Sequence, residues 1–245
     1  MQGLTMTTAI ATAAAPSYAF APTLPPAIEI AGTHECFPVH RVYCVGRNYA
    51  ARALEMGANP AREQPFFFSK PAGALVRNGQ PVRYPSRTAN FHHEIELVVA
   101  IGRGGRNISS QEALKHVYGY AVGNDLTRRD LLFLAQDKRQ PWEVSKAFDV
   151  SAPITAIHRA SRVGHPSQGR IWLGVNGVIR QSADIADLIW NVPEIIAEIS
   201  ALFTLTAGDL IFTGTPAGVG PVEAGDRMEG GIEGLGTLVT TIVAA

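Results

Sequence analysis

The stretch Phe91-His92-His93-Glu94-Ile95-Glu96-Leu97-Val98-Val99-Ala100 constrains the chain most. Two glutamates one residue apart run directly into an apolar strand. Alternate residues of a strand point to the same face. Glu94, Glu96, Val98 and Ala100 therefore share one face, and Ile95, Leu97, Val99 and Ile101 share the other. Both faces turn apolar within a few residues, which predicts a strand buried on both sides. Two carboxylates entering such a strand face desolvation and mutual repulsion. A hard cation held between them relieves both costs. The alternative is a strand end that surfaces and leaves both carboxylates in water.

A chain of 245 residues, 46% hydrophobic and 17% charged, has ample material for a core. Its formal net charge is zero, so no global charge draws it to nucleic acid or to an anionic membrane. No apolar run reaches the ~18 residues of a spanning helix. Cys36 and Cys44 are expected as free thiols in a reducing, cytoplasmic compartment, with Cys44 as core packing. No Lys or Arg precedes Arg41, so the basic start of a secretory signal is missing. Residues 1–26, rich in Ala, Thr and Pro, are expected as a weakly ordered extension, with Met6 an alternative start. Residues 27–245 are expected as a single catalytic-type domain.

Strand signals outnumber helix signals along the chain. Arg41–Gly46, the aromatic run Phe66–Phe68 and Tyr118–Gly123 read as strands, and Asn48–Gly57 as a short helix capped by Asn48. Capping-box patterns at Ser109-Ser110-Gln111-Glu112 and Thr127-Arg128-Arg129-Asp130 predict two more short helices. Asn176-Gly177 between apolar arms predicts a type I′ hairpin. Pro193 opens a helix to about Phe203, with Ile195, Ile199 and Leu202 at helical spacing. Leu210–Phe212 and Leu238–Val243 close the chain as strands. These signals predict one β-rich α+β domain of packed or rolled sheets.

Asp130 has a structural job in its capping box, whereas Asp125 has none and stands in a strand-to-helix turn, where open sites are built. Glu94, Glu96 and Asp125 are three oxygen ligands without cysteine, a set that suits Mg²⁺, Mn²⁺ or Ca²⁺ over Zn²⁺. His92 and His93 alternate faces, and His93 points away from the glutamates, so packing or support is the expected role of both. Lys70 and Lys146 fall in loops, and gain interest only if the fold brings them to the metal. The Gly-rich run Thr213–Gly220 lacks the Lys-Ser/Thr ending of a phosphate loop. It reads as a tight turn in which Thr215 can offer a hydroxyl or backbone N–H to a ligand.

Six segments in order then resemble the fumarylacetoacetate hydrolase family. They are Val45-Gly46-Arg47-Asn48-Tyr49, Phe68-Ser69-Lys70-Pro71, His92 through Leu97, Asp125 through Asp130, Pro141-Trp142 through Asp149, and Thr213 through Gly220. The Thr-Arg-Arg-Asp form, the Pro-Trp loop and the Phe-Phe-Phe run look closest to its fumarylpyruvate and acylpyruvate hydrolases. The resemblance implies a mixed β-sandwich roll, a homodimer and one divalent metal held by Glu94, Glu96 and Asp125. It also implies Lys146 as the active-site lysine, with Arg47, Lys70 and Thr215 near the substrate. The implied reaction is cleavage of a carbon–carbon bond in a 2,4-dioxo acid.

The resemblance implies a His–Glu pair on the first short helix, which activates water. Here Glu55 stands in its place, but Arg52 stands where the histidine belongs. An arginine is always protonated and cannot accept the water's proton. Glu55 is then the remaining base, unless a distant histidine such as His34 or His40 reaches over. Arg52 is expected either to pair with a substrate carboxylate or to form a surface ion pair with Glu55. Leu132 also departs from the resemblance, which implies a glutamine there. The expected activity is metal-dependent hydrolysis of a fumarylpyruvate-like acid in aromatic catabolism. The alternatives are decarboxylation of an oxaloacetate-type acid, or metal and oxo-acid binding without turnover.

Overall fold

A computed structural model describes residues 16–55, 57 and 62–245. The alternative start at Met6 and the first fifteen residues of the expected extension lie outside the described residues. Residues 16–26 are exposed and carry no helix or strand; the first strand is Ala27–Glu29.

Two sheets make the body. The larger runs in the order Phe66–Lys70, Val42–Gly46, Leu210–Phe212, Ile95–Ile101, Val117–Asn124, Ala152–Ile154 and Leu75–Arg77, with His158–Arg159 attached to Val117–Asn124. Five further strands form the second sheet, in the order Val178–Asp184, Arg170–Val175, Arg227–Ile232, Gly236–Val243 and Val82–Arg83. Most neighbours are antiparallel, but Leu210–Phe212 runs parallel to Val42–Gly46, and Ala152–Ile154 parallel to Leu75–Arg77. The roll is therefore mixed, as expected.

The strand Ile95–Ile101 sits at the centre and every residue of it is buried. Its alternation sorts the two cores. Ile95, Leu97, Val99 and Ile101 join one cluster with Leu173, Met228 and Leu238 of the second sheet. Val98 and Ala100 join another, with Val42, Cys44 and Phe212, on the opposite face. Cys44 is fully buried packing, and Cys36 is an exposed thiol. Asn176 and Gly177 both have positive φ, 50° and 81°, as a type I′ turn requires. Asn191 and Glu194 form a reciprocal capping box on the helix Val192–Leu202.

Several local expectations are corrected. Ser109 through Lys115 gives only a turn and a 3₁₀ stretch, Ala113–His116, without a side-chain cap. The helix after Asp125 runs Arg129–Asp137, and Thr127 does not cap it; Thr127 lies in the short strand Thr127–Arg128. Asn48 does not cap the helix Ala50–Glu55. Its amide bridges Thr213 O at 2.8 Å and Trp190 O at 2.9 Å, and its Oδ1 accepts from Trp190 N at 2.7 Å. Leu202 is 62% exposed, although Ile195 and Ile199 of the same helix are buried. Lys70 and Lys146 are not loop residues. Lys70 ends a strand, and Lys146 ends the single helical turn Glu143–Lys146; both are buried.

Candidate active site

The ladder between Ile95–Ile101 and Val117–Asn124 builds the site. Ile95 faces Asn124. One step outward, Asp125 N donates to Glu94 O at 2.8 Å, and Asn124 Oδ1 accepts from Glu94 N at 2.8 Å. Two carboxylates 31 positions apart in sequence thus become neighbours across a strand pair. Glu96, one pleat further in, points to the same side as Glu94. One oxygen from each of Glu94, Glu96 and Asp125 lies within 4.8 Å of the other two.

Two buried lysines meet these carboxylates. Lys146 Nζ donates to Glu94 Oε2, Asp125 Oδ2 and Thr127 Oγ1, each at 2.7 Å. An ammonium has three donors, so Lys146 has none left. Lys70 Nζ lies 2.8 Å from Asp125 Oδ1, an ion pair without the alignment of a hydrogen bond. Lys70 donates to Ser151 Oγ at 2.9 Å and to the backbone carbonyl of Lys146. It supports the site from behind and fixes the turn that carries Lys146.

Burial raises the Glu96 carboxyl well above the usual range, and Asp125 and Glu94 add to the rise. The Gly214 N–H, 2.8 Å from Glu96 Oε2, opposes it only in part. Gly214 has φ 101°, and a Cβ there would come within 2.8 Å of Asn48 Cβ, so glycine is needed at this donor. Asp125 behaves differently. Burial works to raise it, but Lys146 and Lys70 outweigh burial and hold it below its ordinary value. Burial would also lower the Lys146 ammonium, yet Asp125 and Glu94 hold it above its ordinary value. Three ionised carboxylates against two ammoniums would leave one negative charge unmatched, and Glu96, the carboxylate with no ammonium of its own, is the one that favours a proton.

A cavity partly open to solvent rises from the three carboxylates. Phe66, Phe68 and Trp142 wall it, with Phe66 edge-on to Trp142 at 5.3 Å between centroids. Arg47 lines it in a left-handed conformation, φ 55°, with its guanidinium 5.7 Å from the Phe66 ring. Lys146 and Thr215 line it too; Lys70 and Glu55 do not. The Thr215 hydroxyl donates to Ile95 O and accepts from Gln181 Nε2, both at 2.8 Å, so its proton is already committed.

Arg52 also lines the cavity and is 7% exposed. The expected surface pair is therefore corrected: Arg52 Nη1 reaches Glu55 Oε2 at 2.9 Å from the buried side. Glu55 Oε1 accepts from Gly218 N at 2.9 Å. His40 is engaged elsewhere, its Nδ1 held by Asp209 at 2.9 Å.

Three residues enter to which the sequence reading gave no role at the site. Arg129 and Gln136 line the cavity from one helix face, a three-plus-four spacing legible only once the facing of that helix is known. Gln181 is fully buried. Its amide donates to Thr215 and Pro216 O, which leaves Oε1 to accept from His93 Nδ1 at 2.8 Å and Ile95 N at 3.1 Å. His93 is thus turned away from the carboxylates, as its alternation predicted. Burial lowers its pKa to about 4.

A strand-rich mixed roll with a buried carboxylate triad beside a lysine defines the class of protein. The chain belongs to the fumarylacetoacetate hydrolase family: residues 41–243 match the model of the fumarylacetoacetate (FAA) hydrolase C-terminal domain. It is 46% identical over 180 residues to a fumarylpyruvate hydrolase of Ralstonia sp., covering 74% of this chain and 93% of the relative. It is 40% identical over 194 residues to the mitochondrial oxaloacetate tautomerase FAHD1 of Bos taurus, covering 79% and 87%. A crystal structure of fumarylpyruvate hydrolase from Pseudomonas aeruginosa, in complex with Mn²⁺ and pyruvate, superposes with a TM-score of 0.91 at 53% identity, over 94% of this chain and all of that one. No helix among the described residues is long and apolar enough to cross a membrane.

Proposed function

We propose that the chain, acting through residues 27–245, is a divalent-metal-dependent hydrolase of a carbon–carbon bond in 2,4-dioxo acids such as fumarylpyruvate. The observation that carries this reading is the buried triad Glu94, Glu96 and Asp125, with Lys146 donating into it. Its donor set fits Mg²⁺ or Mn²⁺: all ligand atoms are oxygens, and Glu96 has no ammonium partner of its own. When bound, the ion supplies a Lewis acid for the 2-oxo acid end of the substrate. Charge balance supports the same assignment. The triad, two ammoniums and a divalent ion carry one surplus positive charge, which a substrate carboxylate neutralises.

Lys146 can then turn an N–H from a carboxylate to the enolate oxygen of the departing pyruvate fragment. Phe66, Phe68 and Trp142 exclude bulk water from the chain of the substrate. In the reaction one water adds across the bond between C3 and C4, giving pyruvate and fumarate. Arg52 cannot take the water's proton, so that role falls to Glu55 on the same helix. Glu55 does not line the cavity and is held by Arg52, so slow turnover is expected. A homodimer completes the proposal and is checked by sedimentation.

A second reading follows from Arg52. Tautomerisation or decarboxylation of an oxaloacetate-type acid needs no attacking water, and Bos taurus FAHD1 is named for oxaloacetate tautomerisation. The deciding experiment mixes purified protein and Mg²⁺ or Mn²⁺ with each acid. Loss of fumarylpyruvate enol absorbance, abolished by chelator, supports hydrolysis. No loss beyond the buffer blank, with oxaloacetate converted above the metal-only background, gives the site to the second reading. Oxalate binding without turnover of either acid reduces the protein to a binder.

A further inference from the structure

A second cavity lies away from the carboxylates, and no residue lines both. Its volume is about 180 Å³, and it opens in part to solvent. Tyr120 lines it and is fully buried. This tyrosine stands on the strand Val117–Asn124, four residues before Asn124, so ~13 Å of strand separate it from the start of the carboxylate site. Leu114, Ile185, Leu188 and Val192 give the cavity an apolar wall, and no acid, lysine or arginine among the described residues lines it. The helix Val192–Leu202 begins here, but its first turn is already capped: Asn191 Oδ1 accepts from Glu194 N at 3.1 Å, and Glu194 Oε2 accepts from Asn191 N at 3.0 Å. An anion entering this space would lose its water and meet no cation in return.

The polar group of the cavity is a neutral pair. The Tyr120 hydroxyl lies 2.7 Å from His165 Nδ1, with the two rings edge to face. A hydroxyl has one donor and two acceptor positions, so the phenol oxygen can take a further hydrogen bond whichever partner of this pair donates. An apolar cavity of about 150 Å³ already takes up benzene. A slightly larger one with a single hydroxyl in its wall fits one aromatic ring that carries one neutral hydroxyl.

The wall of this cavity also holds the chain that leads into the active site. Leu188 and Asn191 line it, and the two residues between them grip Asn48. Ile189 N donates to Asn48 O at 2.9 Å and Trp190 N to Asn48 Oδ1 at 2.7 Å, while Asn48 Nδ2 donates to Trp190 O at 2.9 Å. Tyr49 forms a bridge with Leu188. Asn48 and Tyr49 run directly into the helix Ala50–Glu55, whose Arg52 lines the active-site cavity. Asn48 also donates to Thr213 O, one residue before the Gly214 N–H that serves Glu96.

We propose that this cavity is a second ligand site, for a neutral monocyclic phenol, and that filling it steadies residues 185–193 and, through Asn48, the helix that carries Arg52 and Glu55. The ring of the ligand packs on Leu188 and Val192, and its hydroxyl bonds the Tyr120 oxygen. A ligand that binds one arrangement of this segment better than the others draws the population to it. The site stands apart from the proposed hydrolysis and does not depend on it.

The test is calorimetry on the full chain, with Mn²⁺ present, using para-cresol, toluene and para-toluate. The cresol is expected to bind with a Kd on the order of 0.1 mM, as a good ligand of this size does. Toluene should bind about fivefold more weakly, the usual worth of one hydrogen bond. Tyr120→Phe keeps the ring and removes the hydroxyl, and should bring the two Kd values together. Ala186→Leu fills the space and should abolish binding of both. In hydrogen exchange the cresol should slow amides at 185–193 and also at 47–55, in the parent and not in Ala186→Leu. Equal affinity of the parent for cresol and toluene, or binding of neither, overturns the site. Toluate binding that Ala186→Leu removes overturns the choice of a neutral ligand. Slowing confined to 185–193 overturns the link to Arg52 and Glu55.

Discussion

Lys146 Nζ stands 2.7 Å from Asp125 Oδ2, and the same nitrogen is also 2.7 Å from Glu94 Oε2. The ammonium neutralises two of the three carboxylates that would hold a divalent cation, so a cation at this site would compete with it. Removing it leaves Glu94 without an ammonium and Asp125 with Lys70 alone.

Lys146→Met is accordingly expected to destabilise the metal-free protein by about 3–5 kcal/mol, the cost of breaking a buried ion pair. Urea unfolding in chelator measures this. Mg²⁺ or Mn²⁺ should restore part of the loss, because the ion neutralises the same oxygens. Turnover, with metal added, should fall about 10²–10³-fold, as for loss of one donor to a developing oxyanion. A variant as stable as the parent in chelator would remove the competition argued here.

Stability should also fall on mild acidification, through His93. Its folded pKa of about 4 lies below the ordinary histidine value, because burial disfavours the imidazolium. Gln181 accepts from Nδ1, and Nε2 has no partner among the described residues. A group with a depressed folded pKa contributes stability that is fully present above its unfolded pKa, about 6.5, and is lost as pH falls towards 4. The loss across that window is on the order of 3 kcal/mol. Denaturant midpoints at pH 7.5 and pH 5 in chelator should differ in the parent, and the difference should shrink in His93→Asn, with His92, also lowered to about 4 by burial, keeping the remainder. A pH-independent parent would contradict the burial argument.

The strand at the centre of the molecule was legible because its chemistry is periodic. Alternation alone sorted Ile95, Leu97, Val99 and Ile101 from Val98 and Ala100, and the two sets lie in different cores. Asn176-Gly177 was legible because its turn demands positive φ. What failed were local signals overruled by distant partners. Thr127 looks like a helix cap, but Lys146 claims its hydroxyl. Asn48 looks like a cap, but the backbone at Thr213 and Trp190 claims its amide. Lys70 and Lys146 looked like solvated loop lysines because nothing beside them in sequence announces the carboxylates that bury them. The triad was legible residue by residue; the cavity wall at Arg129 and Gln136 was not, since it depends on which way a helix faces.

Gln181 gives a prediction that no motif suggested. It is fully buried and ties His93, Ile95 N, Thr215 and Pro216 O together beside the triad. Gln181→Leu keeps the approximate volume but leaves at least two buried donors, His93 Nδ1 and Ile95 N, without an acceptor. At about 1–3 kcal/mol for each unsatisfied group, a loss of roughly 2–6 kcal/mol is expected. The denaturant midpoint should move with an unchanged slope. Thr215 also loses a donor, so KM for the oxo acid should rise in whatever fraction stays folded. A neutral effect on stability would mean that the network is not a supporting element.

Arg52→His separates two roles that one position cannot fill together. A histidine there can accept the water's proton, and general-base catalysis is typically worth about 10²–10⁴-fold. The kcat on fumarylpyruvate should therefore rise towards that range, with a pH profile that gains a limb near the histidine pKa. The guanidinium lost in the same substitution lines the cavity, so KM for the diacid should rise about tenfold, the equivalent of ~1.4 kcal/mol. A rise in both constants is the signature of a site that has exchanged a base for an anchor. If kcat stays flat while metal binding is intact, the parent's slow step is not proton transfer from water, and the tautomerase or decarboxylase reading gains the site. If KM is also flat, Arg52 touches neither the water nor the substrate, and its burial at the cavity wall serves only to hold Glu55 against Gly218.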